Sequence, residues 1–263
     1  MKYFEARTDY HPLDYRFKKS RIINLNKEYN CIHLSVASSF IRRKAIGDNK
    51  FVIGLTSGED TLFVNKLFIN KPFYGVMKNA LYFYRRRNDG TSIVQKSIIN
   101  DVFYFKTPIL VHQNLLDLSY NKFNKLIPFI QFYVAYDILF RILSSTFKYI
   151  DLPKLIKYSQ IIIKLLKRID DKFLLEQKNV EIIIKIYALS KKHKMDMREF
   201  IKYKKGKLKY KKYDIFKISN NKKLIILNFV DINDNFLQIE ARDNCWMKKE
   251  KYYYLTELLK EEQ

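Results

Sequence analysis

From Ile109 to His193 the apolar residues recur at three- and four-residue intervals with lysines set between them, and no other feature constrains the fold as much. The spacing predicts helices over Leu115 to Asn124, Ile127 to Ser144, Leu152 to Arg168 and Asp171 to Lys192. Asp151, ahead of Leu152-Pro153, fits an N-cap with proline in the first turn, and Asp170 is a candidate cap for the last helix. A helix with one apolar face must bury it against another element, so a helical subdomain is expected over residues 106–200.

The pattern changes on both sides of this block. Between Met1 and Phe105, Arg21 to Leu25 and Phe51 to Leu55 read as short apolar strands and Leu34 to Ala45 as a helix. Thr61 to Ile69 has helical spacing that Pro72 ends, and Phe73 to Tyr84 then reads as strands. Beyond Gly206, strands are expected at Tyr213 to Ile218, Lys222 to Val230 and Phe236 to Glu240, separated by turns at Ser219-Asn220-Asn221 and Asp231 to Asn235. Lys202 to Lys212 reads as a solvated basic linker. The expected class is α/β: a mixed unit over 1–105, helices over 106–200, and a basic linker with a β-rich segment over 201–263.

With 48% hydrophobic residues in a chain of 263, a real core is affordable in one large domain or two smaller ones. The net charge of +23 points to an acidic partner: nucleic acid, an anionic membrane surface or a phosphorylated substrate. Scarce Gly and Pro beside abundant Ile, Lys and Asn also suit AT-rich coding, which lowers the weight of the lysine excess. Cys31 and Cys245 match no zinc or redox spacing and read as reduced thiols. The stretch from Met1 to Tyr10 has no apolar core of a signal peptide, and Leu126 to Leu143 is interrupted by Gln131, Asp137 and Arg141. A cytoplasmic chain is expected.

Two motifs carry candidate chemistry. Gly58-Glu59-Asp60-Thr61 places an acidic pair at the start of an amphipathic helix, where carboxylates also favour the positive end of the helix dipole. Tyr84-Arg85-Arg86-Arg87-Asn88-Asp89-Gly90-Thr91-Ser92 ends a strand in three arginines followed by glycine and hydroxyls. In an extended segment Arg85 and Arg87 project to one side, away from Arg86, and guanidinium forks suit a diphosphate; a solvated basic turn is the plainer alternative. His11, His33, His112 and His193 lack ligand spacing, and no metal ligands are assigned.

Together with Leu34-Ser35-Val36-Ala37-Ser38-Ser39-Phe40-Ile41, these motifs follow an order that resembles the acceptor-side half of family 2 glycosyltransferases of the GT-A fold. The likeness is to bacterial capsular-polysaccharide and wall-teichoic-acid enzymes, and it covers roughly the first two fifths of the chain. His11 to Phe17 resembles the stretch ahead of their acceptor site. The resemblance implies a partial GT-A unit performing inverting transfer from a nucleotide-sugar to a glycan acceptor. Asp60 is implied as catalytic base, Glu59 as an acceptor-side residue, and Arg85, Arg87 and Ser92 as residues facing the diphosphate.

Complete enzymes of this kind use Mg or Mn, held by an Asp-x-Asp that ends a nucleotide-binding half. No such motif precedes Glu59, and Asp231-Ile232-Asn233-Asp234 reads as a turn. The expectation is therefore a truncated or split enzyme, inactive alone, partnered by a separately encoded donor-binding half. Peripheral contact with the anionic inner membrane is expected, and nucleic acid is not. The rival reading is a nonenzymatic basic module that binds nucleic acid through lysines and stacking aromatics.

Overall fold

The computed structural model describes residues 2–3, 11–80, 82–84, 100–143, 151–178, 180, 182–195, 225–230, 236–242, 245–248 and 251–254. The chain divides into two compact units, Met1–Tyr133 and Val134–Gln263. Helix dominates the described residues, accompanied by small sheets, so the chain mixes α and β structure.

The first unit begins with β1 (Lys2–Tyr3), a 3-10 turn at Asp14–Phe17, β2 (Arg21–Asn24) and a single helical turn α1 (Arg43–Ile46). It continues through α2 (Glu59–Asn70), β3 (Phe73–Val76) and β4 (Phe83–Tyr84). Strands β1 and β4 pair in parallel, and β2 pairs antiparallel with β3. Opposing Ile23 to Tyr74 and Arg21 to Val76 turns Ile23 and Val76 inward, where both are buried. Leu25 N–H extends the pairing to the Pro72 carbonyl at 2.8 Å.

The amphipathic spacing of α2 buries Leu62, Phe63, Val64 and Ile69. Against α2 packs a helical stretch that opens with wide π turns at Val102–Lys106 and Pro108–Gln113 and becomes α3 at Asn114–Phe123. Val111, Leu115 and Leu116 on this stretch are fully buried, each contributing about 1.5–3 kcal/mol of apolar burial. Asn124, left-handed at φ 52°, closes α3. Helix α4 (Pro128–Leu143) follows, and its Phe129, Ile130, Phe132 and Tyr133 complete the core of the unit.

The second unit holds the remainder of α4, then α5 (Leu152–Arg168), α6 (Asp171–Leu175) and α7 (Ile182–Lys192). Asp151 caps α5 by accepting from Lys154 N–H at 2.9 Å, with Pro153 in the first turn. Leu155, Tyr158, Ile162, Leu165 and Leu166 form its buried stripe, while Lys154, Lys157, Lys164 and Lys167 face solvent. Strands β5 (Ile225–Val230), β6 (Phe236–Arg242), β7 (Cys245–Lys248) and β8 (Lys251–Tyr254) make an antiparallel meander in chain order.

Several expectations are corrected. Leu34 to Ala45 is not a helix: the chain is irregular there except for α1, because the Ser35 and Ser39 hydroxyls bond locally to backbone and offer it an alternative to the helical ladder. Phe51 to Leu55 forms no strand; Gly54 adopts φ 77° and bends the chain, and Phe51 stacks on Phe63 at 4.4 Å between ring centroids. Asp171 to Lys192 is not one helix but α6 and α7, with Asp170 at the N-cap position of α6. The stretch between them turns around Gln177, which is buried and donates to the Phe173 carbonyl. The strand expected at Tyr213 to Ile218 and the linker Lys202 to Lys212 lie outside the described residues.

Candidate acceptor-side site

Gly58 occupies the N-cap of α2 with φ 83°, a left-handed conformation that glycine adopts without steric cost. A Cβ here would lie 3.1 Å from both Thr107 Cγ2 and Val111 Cγ2, so a side chain would also require the π-turn segment to give by a few tenths of an ångström. The neighbouring peptide is fixed as well, since Thr107 Oγ1 donates to the Ser57 carbonyl. Gly58 thus sets where α2 begins, and with it where Glu59 and Asp60 stand.

Both carboxylates occupy the first turn of α2, where the helix dipole favours them, and both are half-buried. Asp60 Oδ2 accepts from Ser35 Oγ at 3.0 Å and from Val36 N–H at 3.2 Å. Among the described residues no hydrogen bond reaches Asp60 Oδ1, and Glu59 has no hydrogen-bonding or ionic partner. One oxygen of Asp60 is therefore tied, and the other carries no hydrogen bond from the described residues.

The loop that ties it is stitched to α2 at further points. Thr61 Oγ1 donates to the Leu34 carbonyl at 2.8 Å, and Asn65 Nδ2 donates to the carbonyls of Thr61 at 2.8 Å and His33 at 3.4 Å. Residues 33–36 consequently run along the first turns of the helix in a fixed register.

Behind the loop lies a polar cluster built around the buried Arg16. Arg16, only 6% exposed, donates through Nε to the Leu13 carbonyl and through Nη1 to the Ile32 carbonyl, with Nη1 also 3.2 Å from His33 Nδ1. The His33 ring stacks on Tyr74 at 5.4 Å between centroids, and His33 Nε2 lies 2.7 Å from Ser39 Oγ. Burial, reinforced by the Arg16 charge, lowers the His33 pKa to about 4, so the ring is neutral near pH 7. The Tyr74 hydroxyl donates to the Cys31 carbonyl, and burial pushes this phenol up to about 12. Arg21 Nη1 reaches both oxygens of Glu28, and burial pushes the free Cys31 thiol up, making it a poor nucleophile.

The structure therefore sets Asp60 and Glu59 side by side. Arg85, Arg87 and Ser92 lie outside the described residues. Sequence reasoning missed Ser35 as the partner of Asp60, and Ser39, His33 and Arg16 as the residues linked behind it; the available signal was a serine-rich run without apolar periodicity, which favours side-chain bonding to backbone. Among the described residues no three His, Cys, Asp or Glu side chains converge. Among them, too, no helix is long and apolar enough to cross a membrane.

The chain is related in sequence to two proteins of Bacillus subtilis (strain 168). It is 27% identical over 241 residues to the minor teichoic acid biosynthesis protein GgaB, a match covering 90% of this chain and 27% of GgaB. It is 31% identical over 173 residues to the minor teichoic acid biosynthesis protein GgaA, covering 64% of this chain and 39% of GgaA. The chain thus spans between about a quarter and two fifths of the length of these curated relatives. No family profile matches it. No solved structure matches it.

Proposed function

We propose that the chain serves surface-polysaccharide biosynthesis of the teichoic type, as the acceptor-side part of an inverting glycosyltransferase. The observation that carries this reading is the Asp60 carboxylate, held through Oδ2 at the head of α2 with Oδ1 unengaged. The relation to two proteins named for minor teichoic acid biosynthesis supplies the polymer class.

In this reading Asp60 Oδ1 takes the proton of an acceptor hydroxyl as that oxygen attacks the anomeric carbon of the donor sugar. The bond from the anomeric carbon to the nucleoside diphosphate breaks, and the diphosphate leaves with the bonding electrons. Glu59, one residue away on the same turn, binds the acceptor. Arg85, Arg87 and Ser92 take the charge that develops on the departing diphosphate, roles that rest on the resemblance of the motif around them. A chain of net charge +23 is suited to a phosphate-rich acceptor at the anionic cytoplasmic face of the membrane.

The test is a chimera in which this chain replaces the matched stretch of the GgaA relative. The chimera should transfer sugar from a nucleotide-sugar to a teichoic-type acceptor and lose that activity with Asp60→Asn. A folded chimera that retains single-stranded oligonucleotides in a salt-dependent way, and transfers nothing, would overturn the reading in favour of a nucleic-acid module.

A further inference from the structure

We propose that Ser35 is the positioning residue for Asp60, and that the hydrogen-bonded run Arg16–His33–Ser39 holds the Ser35 loop in register against α2. The proposal rests on the reading of Asp60 as the base and extends it to residues to which no role has been given.

The direction of every hydrogen bond in this run follows from chemistry. A guanidinium only donates, so the 3.2 Å approach of Arg16 Nη1 requires His33 Nδ1 to be the acceptor. His33 then carries its proton on Nε2 and donates it to Ser39 Oγ at 2.7 Å. The Ser39 hydroxyl, its oxygen occupied by that donor, gives its own proton to the Ser35 carbonyl at 3.1 Å. Ser35 Oγ accepts from Ala37 N–H at 3.2 Å, which leaves its single proton for Asp60 Oδ2. No hydroxyl in the run is free to turn and offer Asp60 a lone pair in place of a donor.

This arrangement matters because an aspartate at a helix start has two rotatable side-chain bonds and two equivalent oxygens. Ser35 Oγ and Val36 N–H arrive at the same oxygen and remove both freedoms. The carboxylate is held in one orientation, with one oxygen against the loop and the other turned away from it. A base held this way meets the acceptor hydroxyl without first reorienting, which is the benefit of a near-attack geometry. The anchor of the loop lies away from solvent: Arg16 is 6% exposed, and Thr61 and Asn65 tie the preceding carbonyls to the helix that bears Asp60.

The experiment compares the GgaA chimera with its Ser35→Ala, Ser35→Thr, Ser39→Ala and Asp60→Asn variants, measuring kcat and acceptor KM for sugar transfer. The Val36 amide is followed in parallel by NMR and hydrogen exchange, which need no turnover. Ser35→Ala should lower kcat about 10-fold with acceptor KM within about 2-fold, the scale expected from loosened orientation. Ser35→Thr, which keeps the hydroxyl, should recover most of that loss. Ser39→Ala should lower kcat about 3-fold and speed exchange at Val36 by a similar factor. Wild-type kcat in Ser35→Ala beside an inactive Asp60→Asn would overturn the positioning role while leaving the base intact. Full turnover in Asp60→Asn would instead remove the base itself. Should Ser35→Ala fail to fold, wild-type kcat and Val36 exchange in Ser39→Ala would be enough to overturn the proposal.

Discussion

The Thr107 hydroxyl donates to the Ser57 carbonyl at 3.0 Å, joining the π-turn segment to the residue ahead of Gly58. With Gly58 at φ 83° and the methyls of Thr107 and Val111 each 3.1 Å from where a Cβ would sit, an alanine meets backbone strain and crowding together. Gly58→Ala should cost about 2 kcal/mol of stability. Urea unfolding of the two proteins measures it, and a loss below about 0.5 kcal/mol would show that α2 can begin elsewhere.

Asp60→Asn preserves size and one hydrogen-bond acceptor for Ser35 while removing the basic oxygen. Turnover should fall by about 100-fold with donor affinity nearly unchanged. Steady-state kinetics on the GgaA chimera separate the two quantities, and near-normal turnover would exclude Asp60 from proton transfer.

Arg85 and Arg87, two apart, are expected to face one anion while Arg86 faces away. Titration calorimetry with a nucleoside diphosphate should show Arg85→Ala and Arg87→Ala each weakening binding about 10-fold, with Arg86→Ala changing it little. Equal effects at all three positions would mean a diffuse basic patch.

Acid should loosen the first unit through His33. Its folded pKa, about 4, lies below the 6.5 of the unfolded chain, so the neutral ring adds stability that is complete above pH 6.5 and is lost as pH falls toward 4. The loss amounts to roughly 3 kcal/mol for a shift of this size. His11, lowered by burial and then by Arg16 against the opposing pull of Asp14, acts in the same direction. In Asp171, burial pushes the carboxyl up, but Lys192 and His193 outweigh it and hold the group below its usual range, so its contribution is lost at more acidic pH. Unfolding free energies between pH 7 and 4 should fall less steeply in His33→Gln; an unchanged slope would exclude His33 as the source.

The parts of the fold legible in the sequence are those fixed by short-range physics. Leu155, Tyr158, Ile162 and Leu165 announce α5 by spacing, Asp151 and Pro153 announce its start, and Pro72 announces the end of α2. The π turns were hidden because their side chains repeat at no 3.6-residue period. Of the site, the Gly58-Glu59-Asp60 turn was readable because glycine and carboxylates at a helix start have local causes. Its partners were not: Ser35 is 25 positions from Asp60, and His33 meets Arg16 across 17, distances over which only tertiary packing decides who meets whom.

The wide turns between Val102 and Gln113 make chain length itself a determinant of the site. Each π turn carries more residues than an α turn, so losing a single residue here would let the segment relax to the narrower ordinary helix with the helix beyond it kept in phase. Thr107 and Val111, four apart, would still share a face, but the narrower turn would ease their crowding of the Cβ position, leaving the left-handed φ, which asparagine also tolerates, as the remaining restriction at Gly58. Homologous chains shorter by one residue in this segment should therefore be the ones that carry a side chain at the position of Gly58, a paired change that comparative sequencing can seek without any assay.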